Sequence, residues 1–429
     1  MIAGFRCAVC GAMVDIAALD PWCCPNATSL DRHHVLRLVE HEPSPEPAPV
    51  IASVIDDPNP LVRYAPRSAW FAFARARGMT EDAAVTLALE LDAAVVSSAG
   101  AGFSVTPFEP HPSLAAAVSE VPFRLLVKDE TGQVSGSHKV RHLASILLHL
   151  LAAEALGLRG GVRPILAIAS CGNAALAAAV LAHAVEWPLR VFVPPWADPA
   201  IIERLDQLGA DIVTCARVAG DPPGDPCLHR FRETVAAGAL PFSVQGPENA
   251  LCLDGGRSIA WEMAEQCGDA GIDRVIVQVG GGALATCVAD GWIGAGGDRP
   301  ALYAVEAEGC APLARAWLRA REIGLDRAAA QWSACMWPWE SEPSSVADGI
   351  LDDETYDWLG VTAGLAATDG DAVVASESLI VAAHRLALER TSIDVSATGS
   401  AGLAGLLALA PQLVRAETVA ILFTGQSRH

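Results

Sequence analysis

The sequence predicts an α/β protein built on open, doubly wound sheets. Short apolar runs such as RPILAIAS, LRVFVPP and DRVIVQV read as strands buried on both faces, the habit of parallel sheets. Each is followed by a helical stretch, so parallel pairing through helical crossovers is implied. Three strand-to-helix turns then carry glycines or small polar residues, where ligands of such sheets collect.

Taken in order, residues 1–40 are cysteine-rich and short of regular periodicity. HEPSPEPAPV places prolines at 43, 45, 47 and 49 and reads as an extended linker or a strap across a surface. LVRYAPRSAWFAFARARG and TEDAAVTLALELDAA look helical, the second with Thr80 as N-cap and acids in its first turn. FRLLVKDE is a strand, SHKVRHLASILLHLLAAEALG a helix ending at Gly157, and RPILAIAS a strand. GNAALAAAVLAHAV, LRVFVPP, PAIIERLDQLGA and DIVTCA continue the alternation of helix and strand. DRVIVQV, a helix from about Ala283, ALYAVEAE, the helix SAGLAGLLALA and the strand TVAILFT complete it.

A length of 429 residues implies two or three domains, and 52% hydrophobic against 18% charged residues implies a chain that buries much of itself. The net charge of −21 with no basic patch argues against nucleic-acid binding. No membrane span or signal-peptide pattern stands out, so a cytoplasmic location without membrane partners is expected. Eight of the twelve cysteines are scattered through apolar segments, as small core residues kept reduced.

The three turns carry the chemistry. Ser170, Cys171, Gly172 and Asn173 let a backbone approach a ligand and offer the free N–H groups of the next helix to an anion. Gly280, Gly281 and Gly282 before a helix make a nest of phosphate size. Taken alone, Gly280-x-Gly282-x-x-Ala285 also fits a loose dinucleotide fingerprint, with Glu306 as the ribose-binding acid, so a nicotinamide enzyme is a rival. The third feature is Lys139, at the start of a long apolar helix. There both the helix dipole and desolvation disfavour its charged form, a cost that suits a neutral, nucleophilic amine. An amine, a serine/asparagine loop and a phosphate nest together suit an aldehyde cofactor with a phosphate tail. A nicotinamide enzyme has no use for the lysine.

These residues resemble the fold-type II pyridoxal-phosphate enzymes, the superfamily of tryptophan synthase β, threonine synthase, the serine/threonine dehydratases and cysteine synthase. The family's Lys-Asp-Glu, Gly-Ser-x-Lys and following arginine read here as VKDETGQVSGSHKVRHL, its Ser-Ser/Thr-Gly-Asn loop as SCGN, and its phosphate loop as GGGAL. The resemblance spans roughly residues 100–429. It implies that Lys139 forms the Schiff base and later acts as base at Cα, and that Asn173 meets the cofactor's phenolic oxygen. Ser170, Cys171 and Gly172 would hold the substrate carboxylate, with His138 beside them. Gly280, Gly281, Gly282, Ala283 and Leu284 would cradle the phosphate, and Thr424 would meet the pyridine nitrogen. A hydroxyl there does not keep that nitrogen protonated, which favours β-elimination. His138 stands where an aromatic is usual, Val134 where proline is, and Cys171 where Ser or Thr is. His138 reads either as a core histidine with a hydrogen-bond partner or as a proton relay to a leaving group. The acids Asp352, Asp353 and Glu354 read as a solvated loop or helix start, or as facing a cationic substrate group.

The N-terminal region resembles that of threonine synthase and its relatives, with FRCAVCG and PWCCPN similar to a zinc-ribbon-like motif. Cys7 and Cys10 fit a zinc half-site. Ala27 stands where a fourth cysteine is wanted, so Cys24 with Cys23 or His33 would complete the set; the alternative is a metal-free remnant. The expected organisation is a cysteine-rich segment 1–45, a large cofactor-binding domain 46–160 plus 249–429, and a small mobile domain 161–248. Family habit implies a homodimer. The leading function is a lyase performing β-elimination on a small β-substituted L-amino acid. Threonine synthase-like γ-elimination and replacement, and a catalytically idle binding or regulatory protein on the same scaffold, are the alternatives.

Overall fold

The computed structural model describes residues 2–28, 31–40, 55–222, 224–268, 271–295 and 299–428. The proline-rich stretch 41–50 lies outside the described residues. Among the described residues thirteen strands run in chain order: β1 Ile2–Cys7, β2 Met13–Asp15, β3 Leu36–Glu40, β4 Phe108–Pro110, β5 Arg124–Asp129, β6 Leu166–Ala169, β7 Leu189–Val193, β8 Asp211–Thr214, β9 Leu240–Pro241, β10 Arg274–Gln278, β11 Ala301–Ala307, β12 Asp371–Ala375 and β13 Thr418–Phe423. They form a three-stranded sheet in the order β2-β1-β3, a six-stranded sheet β12-β11-β10-β13-β5-β4 and a four-stranded sheet β8-β7-β6-β9.

The six-stranded sheet is parallel except at its β4 edge, and the four-stranded sheet is parallel throughout. Every residue of TVAILF in β13 is buried, as a central strand covered on both faces requires. The α/β class with two wound sheets and an N-terminal appendage is the fold observed. No helix among the described residues is long and apolar enough to cross a membrane.

Three local expectations are corrected. The stretch 61–78 is not one helix but Pro60–Arg63, a 3-10 turn Ala65–Arg67 and Ala69–Ala76. Pro66 supplies no N–H and interrupts the ladder. The N-terminal forty residues, which lack periodicity in the sequence, form the antiparallel sheet β2-β1-β3. Strand β12 was not expected; it is a half-exposed edge strand whose DAVVA gives little burial signal.

The helix Lys139–Ala155 is buried without a break from Val140 to Leu150. Each of its buried polar side chains therefore finds a partner. His142 Nδ1 donates to the Cys252 carbonyl at 2.7 Å, Ser145 Oγ to Asp254 Oδ2 at 2.8 Å, and His149 Nε2 to the Leu19 carbonyl at 2.9 Å. Arg141 enters a sealed charge network. Its Nε donates to Glu130 Oε2 at 2.7 Å and its Nη1 to Glu262 Oε1 at 2.6 Å. Lys128 Nζ donates to Glu262 Oε2 at 2.6 Å, to the Thr106 carbonyl at 2.7 Å and to Gln266 Oε1 at 2.9 Å. Burial raises the Glu262 carboxyl, but Arg141 and Lys128 outweigh it and hold the group below its ordinary pKa.

Two cations and two carboxylates balance in that network. Removing one partner strands a buried charge, at a cost of about 3–5 kcal/mol. Glu262→Ala should lose that much in urea unfolding of the full chain. A loss below about 1 kcal/mol would show that the network behaves like a surface pair.

Candidate functional site

The candidate site lies at the carboxyl ends of β5, β13 and β10, which are neighbours in the large sheet. Each strand delivers one part. After β5 the chain passes through a 3-10 turn Val134–Gly136, with Ser135 at φ 62° and Gly136 at φ 73°, and then starts the Lys139 helix. After β13 comes Thr424, whose carbonyl accepts the His138 backbone N–H at 3.1 Å and His138 Nδ1–H at 3.0 Å. After β10 comes the glycine turn.

Lys139 is one of only two lysines in the chain; Lys128 is the other. Lys128 is saturated by three acceptors, whereas no described group hydrogen-bonds Lys139 Nζ. Burial lowers the pKa of Lys139, against the pull of Asp352 and Asp357. Asp352 is pushed up to about 6 and Asp357 to about 7, both by burial. The site thus holds an amine and two carboxyls whose charged forms are all disfavoured.

The glycine turn is shaped for an anion. Gly281 N–H points at the Asp352 carboxylate. A Cβ on Gly280 would lie 2.5 Å from Asp352 Oδ2, and Gly282 has φ 92°, so neither position admits a side chain. Ala283 and Leu284 are buried at the start of the helix Ala283–Ala295. Thr424 Oγ1 accepts Gln278 Nε2–H at 2.9 Å and keeps its own proton to donate.

The Ser170–Asn173 loop follows β6 and opens the helix Asn173–Ala184. Asn173 lies close to the Thr424 loop, since a Cβ on Gly425 would be 2.7 Å from its Nδ2. Its Oδ1 accepts Arg428 Nε–H at 2.8 Å. Gly172 N–H meets Ser170 Oγ at 3.4 Å. Burial, with Asp348 and Asp225 nearby, raises the Cys171 thiol.

His138 resolves toward its quieter reading. Burial, with Lys139 and His142 adjacent, holds its pKa well below the ordinary value, and Nδ1–H is committed to Thr424. Its Nε2 is a bare acceptor with no partner, so it cannot donate a proton to a leaving group. Glu306, the ribose-binding candidate of the nicotinamide rival, is also corrected. It is buried and accepts the N–H groups of Leu313 at 2.9 Å and Ala314 at 2.8 Å, capping the helix Pro312–Ile323. Of the expected metal ligands, Cys23 faces the Glu248 carbonyl at 4.0 Å and His33 stacks on Trp332 at 5.0 Å; neither joins Cys7, Cys10 and Cys24.

Arg428, Gln278 and Asp357 were missed in the sequence. Gln278 is a polar residue closing an apolar strand, a readable signal. Asp357 lies just beyond the acidic triplet, and Arg428 stands in a tail with no pattern.

These residues fit pyridoxal phosphate. Ser135 Oγ, Ser137 Oγ and His138 Nε2, on the turn that leads into Lys139, are buried without partners, as polar atoms awaiting a polar group are. The glycine turn offers an N–H to an anion, and Lys139 offers a free amine. The fold and the site together define a fold-type II pyridoxal-phosphate enzyme.

A family model described as pyridoxal-phosphate dependent enzyme matches residues 101–425, and the chain belongs to that family. Among solved structures it is similar to maize serine racemase, at 20% identity and TM-score 0.60 over 79% of this chain and 93% of that one. It is similar to the threonine deaminase of T.th., at 24% identity and TM-score 0.58 over 80% and 98%. It also resembles an L-serine ammonia-lyase from Rhizomucor miehei, at 20% identity and TM-score 0.58 over 75% and 94%. No curated protein matches the sequence.

Asp352 and a phosphate would compete for the same N–H donor. Protonation of Asp352, which has its midpoint near 6, removes the like charge. Pyridoxal phosphate should therefore bind Asp352→Asn more tightly than wild type above that pH. Between about pH 5 and about pH 8 the ratio of the two dissociation constants should grow by about tenfold, the worth of one modest charge contact. Equilibrium dialysis checks this, and a ratio independent of pH would remove Asp352 from the cradle.

Proposed function

We propose that the chain is a pyridoxal-phosphate-dependent lyase. It removes a β-amino substituent from a small L-amino acid and releases a keto acid and ammonia. The observation that carries the substrate class is the pair of acids, Asp352 and Asp357, that act on the free amine, with further acids behind them. Asp225 acts on Asp352, Asp353 and the Cys171 thiol, and Asp348 acts on Cys171. Asp348 is held by Thr398 Oγ1–H at 3.1 Å, and Asp225 caps the helix Pro226–Ala236. Acids gathered on one side of a site favour a cationic substrate group there. They also disfavour the phosphorylated homoserine that a threonine synthase takes.

The cofactor supplies an aldehyde that condenses with amines and a ring that draws electrons from Cα. Lys139 Nζ, whose charged form burial disfavours, takes up the Cα proton. The N–H groups at the start of the helix Asn173–Ala184 bind the substrate carboxylate, with Arg428 beside them. Asp352 keeps the β-amine protonated, so that the C–N bond breaks with its electron pair leaving on neutral ammonia. A racemase would want a second base opposite Lys139. The raised Cys171 thiol is poorly suited to that task, which supports elimination. Twelve free cysteines suit a reducing, cytoplasmic setting.

The test is to supply the holoenzyme with serine, threonine, 2,3-diaminopropionate and phosphohomoserine, and to measure keto acid and threonine. Diaminopropionate should give keto acid fastest, and Lys139→Ala should abolish it. Asp352→Asn should raise KM for diaminopropionate by about tenfold, worth ~1.4 kcal/mol, and leave KM for serine near its wild-type value. Threonine from phosphohomoserine, with no keto acid from any substrate, would overturn the reading.

A further inference from the structure

The N-terminal sheet brings four soft ligands to one point. The thiols of Cys7, Cys10 and Cys24 and a ring nitrogen of His34 all lie within 4.8 Å of one another. Cys7 Sγ is 3.4 Å from His34 Nδ1, and Cys10 Sγ is 3.5 Å from Cys24 Sγ. Ligands on a zinc ion, with sulfur at about 2.3 Å and nitrogen at about 2.0 Å, stand roughly 3.5–3.8 Å apart. The sulfurs are too far apart for a disulfide, and the four ligands come from three segments: the β1–β2 turn with Cys7 and Cys10, the turn at Cys24, and His34 ahead of β3.

N–H groups point at each of the three sulfurs. Val9 N–H points at Cys7 Sγ and Asn26 N–H at Cys24 Sγ, each at 3.4 Å from two residues on, and Asn26 Nδ2 reaches Cys10 Sγ at 3.4 Å. His34 Nε2 faces Asp31 Oδ2 at 3.4 Å. That contact places the ring proton on Nε2 and turns the Nδ1 lone pair toward the sulfurs, the usual support of a metal-bound histidine. Cys7, Cys24 and His34 are buried at 2%, 4% and 7% exposure, so the cluster is closed on three sides.

We propose that Cys7, Cys10, Cys24 and His34 bind one structural zinc ion that clamps the N-terminal sheet onto the helix carrying Lys139. Three sulfurs and one nitrogen select zinc over oxygen-seeking cations, and four protein ligands leave no open position for catalysis. Binding releases the thiol protons to solvent. The clamp follows from connectivity. The segment closed by Cys10 and Cys24 contains Leu19 and Trp22. The Leu19 carbonyl accepts His149 Nε2–H at 2.9 Å, and the Trp22 ring meets His149 edge-on at 5.6 Å, both on the Lys139 helix. The Trp22 carbonyl also accepts Ala250 N–H at 2.8 Å.

Full-length protein purified without chelator should contain about one zinc per chain. Cys24→Ser and His34→Ala should lose it, whereas Cys23→Ser and His33→Ala should keep it. Cobalt exchanged into the wild-type chain, which needs no variant to fold, should show the strong visible bands of a tetrahedral sulfur-rich site. Absence of stoichiometric metal together with absence of those bands overturns the proposal. So does loss of metal in Cys23→Ser with retention in Cys24→Ser.

Discussion

The charge pairing among Arg141, Glu130, Glu262 and Lys128 is the constraint on which the site depends. It is sealed from water, with Lys128 and Glu262 at 0% exposure and Arg141 at 2%. Such a network adds little net stability over apolar packing, but it tolerates only one geometry. Arg141 sits two residues into the helix that begins with Lys139, and Glu130 sits one residue past β5. Holding both ends of the intervening turn fixes where the lysine emerges. The left-handed backbone at Ser135 and Gly136 persists because its two flanks are pinned.

The same network separates the chain's two lysines by chemistry. Lys128 has its amine wrapped by a carboxylate, an amide oxygen and a carbonyl. Lys139, eleven positions on, meets acids only at a distance and has its amine free. Around it Asp352 and Asp357 are raised to about 6 and about 7 by burial. Desolvation brings the two carboxyls toward neutral pH and disfavours the charged amine beside them. A buried histidine that can only accept, and a threonine that can still donate, complete a site in which each polar atom has one available role.

Much of this was legible in the sequence, and the rest was hidden for physical reasons. Parallel strands announce themselves as apolar runs, so β5, β6, β7, β8, β10, β11 and β13 stand where the pattern put them. The Lys-Asp-Glu and Lys-x-Arg spacing marks the lysine, but only the packing shows that the outer residues serve the network rather than the cofactor. The edge strand β12 and the N-terminal sheet lack burial on both faces and so lack a signal. The partner of Cys7 is His34 and not His33, because the two adjacent residues point to opposite sides of an extended chain, one to the sulfurs and one to Trp332. Neighbouring histidines are indistinguishable until that register is known. Arg428 reaches Asn173 across 255 positions, a contact that no local pattern encodes.

Of the chain's two lysines, only Lys139 has an amine that no described group hydrogen-bonds, which suits it to bond the cofactor. The direct measurement is borohydride reduction of the holoenzyme followed by peptide mass mapping. A single pyridoxyl adduct is expected, on the peptide carrying Lys139, with Lys128 unmodified. An adduct on Lys128, or a holoenzyme whose cofactor is not fixed by reduction at all, would contradict it.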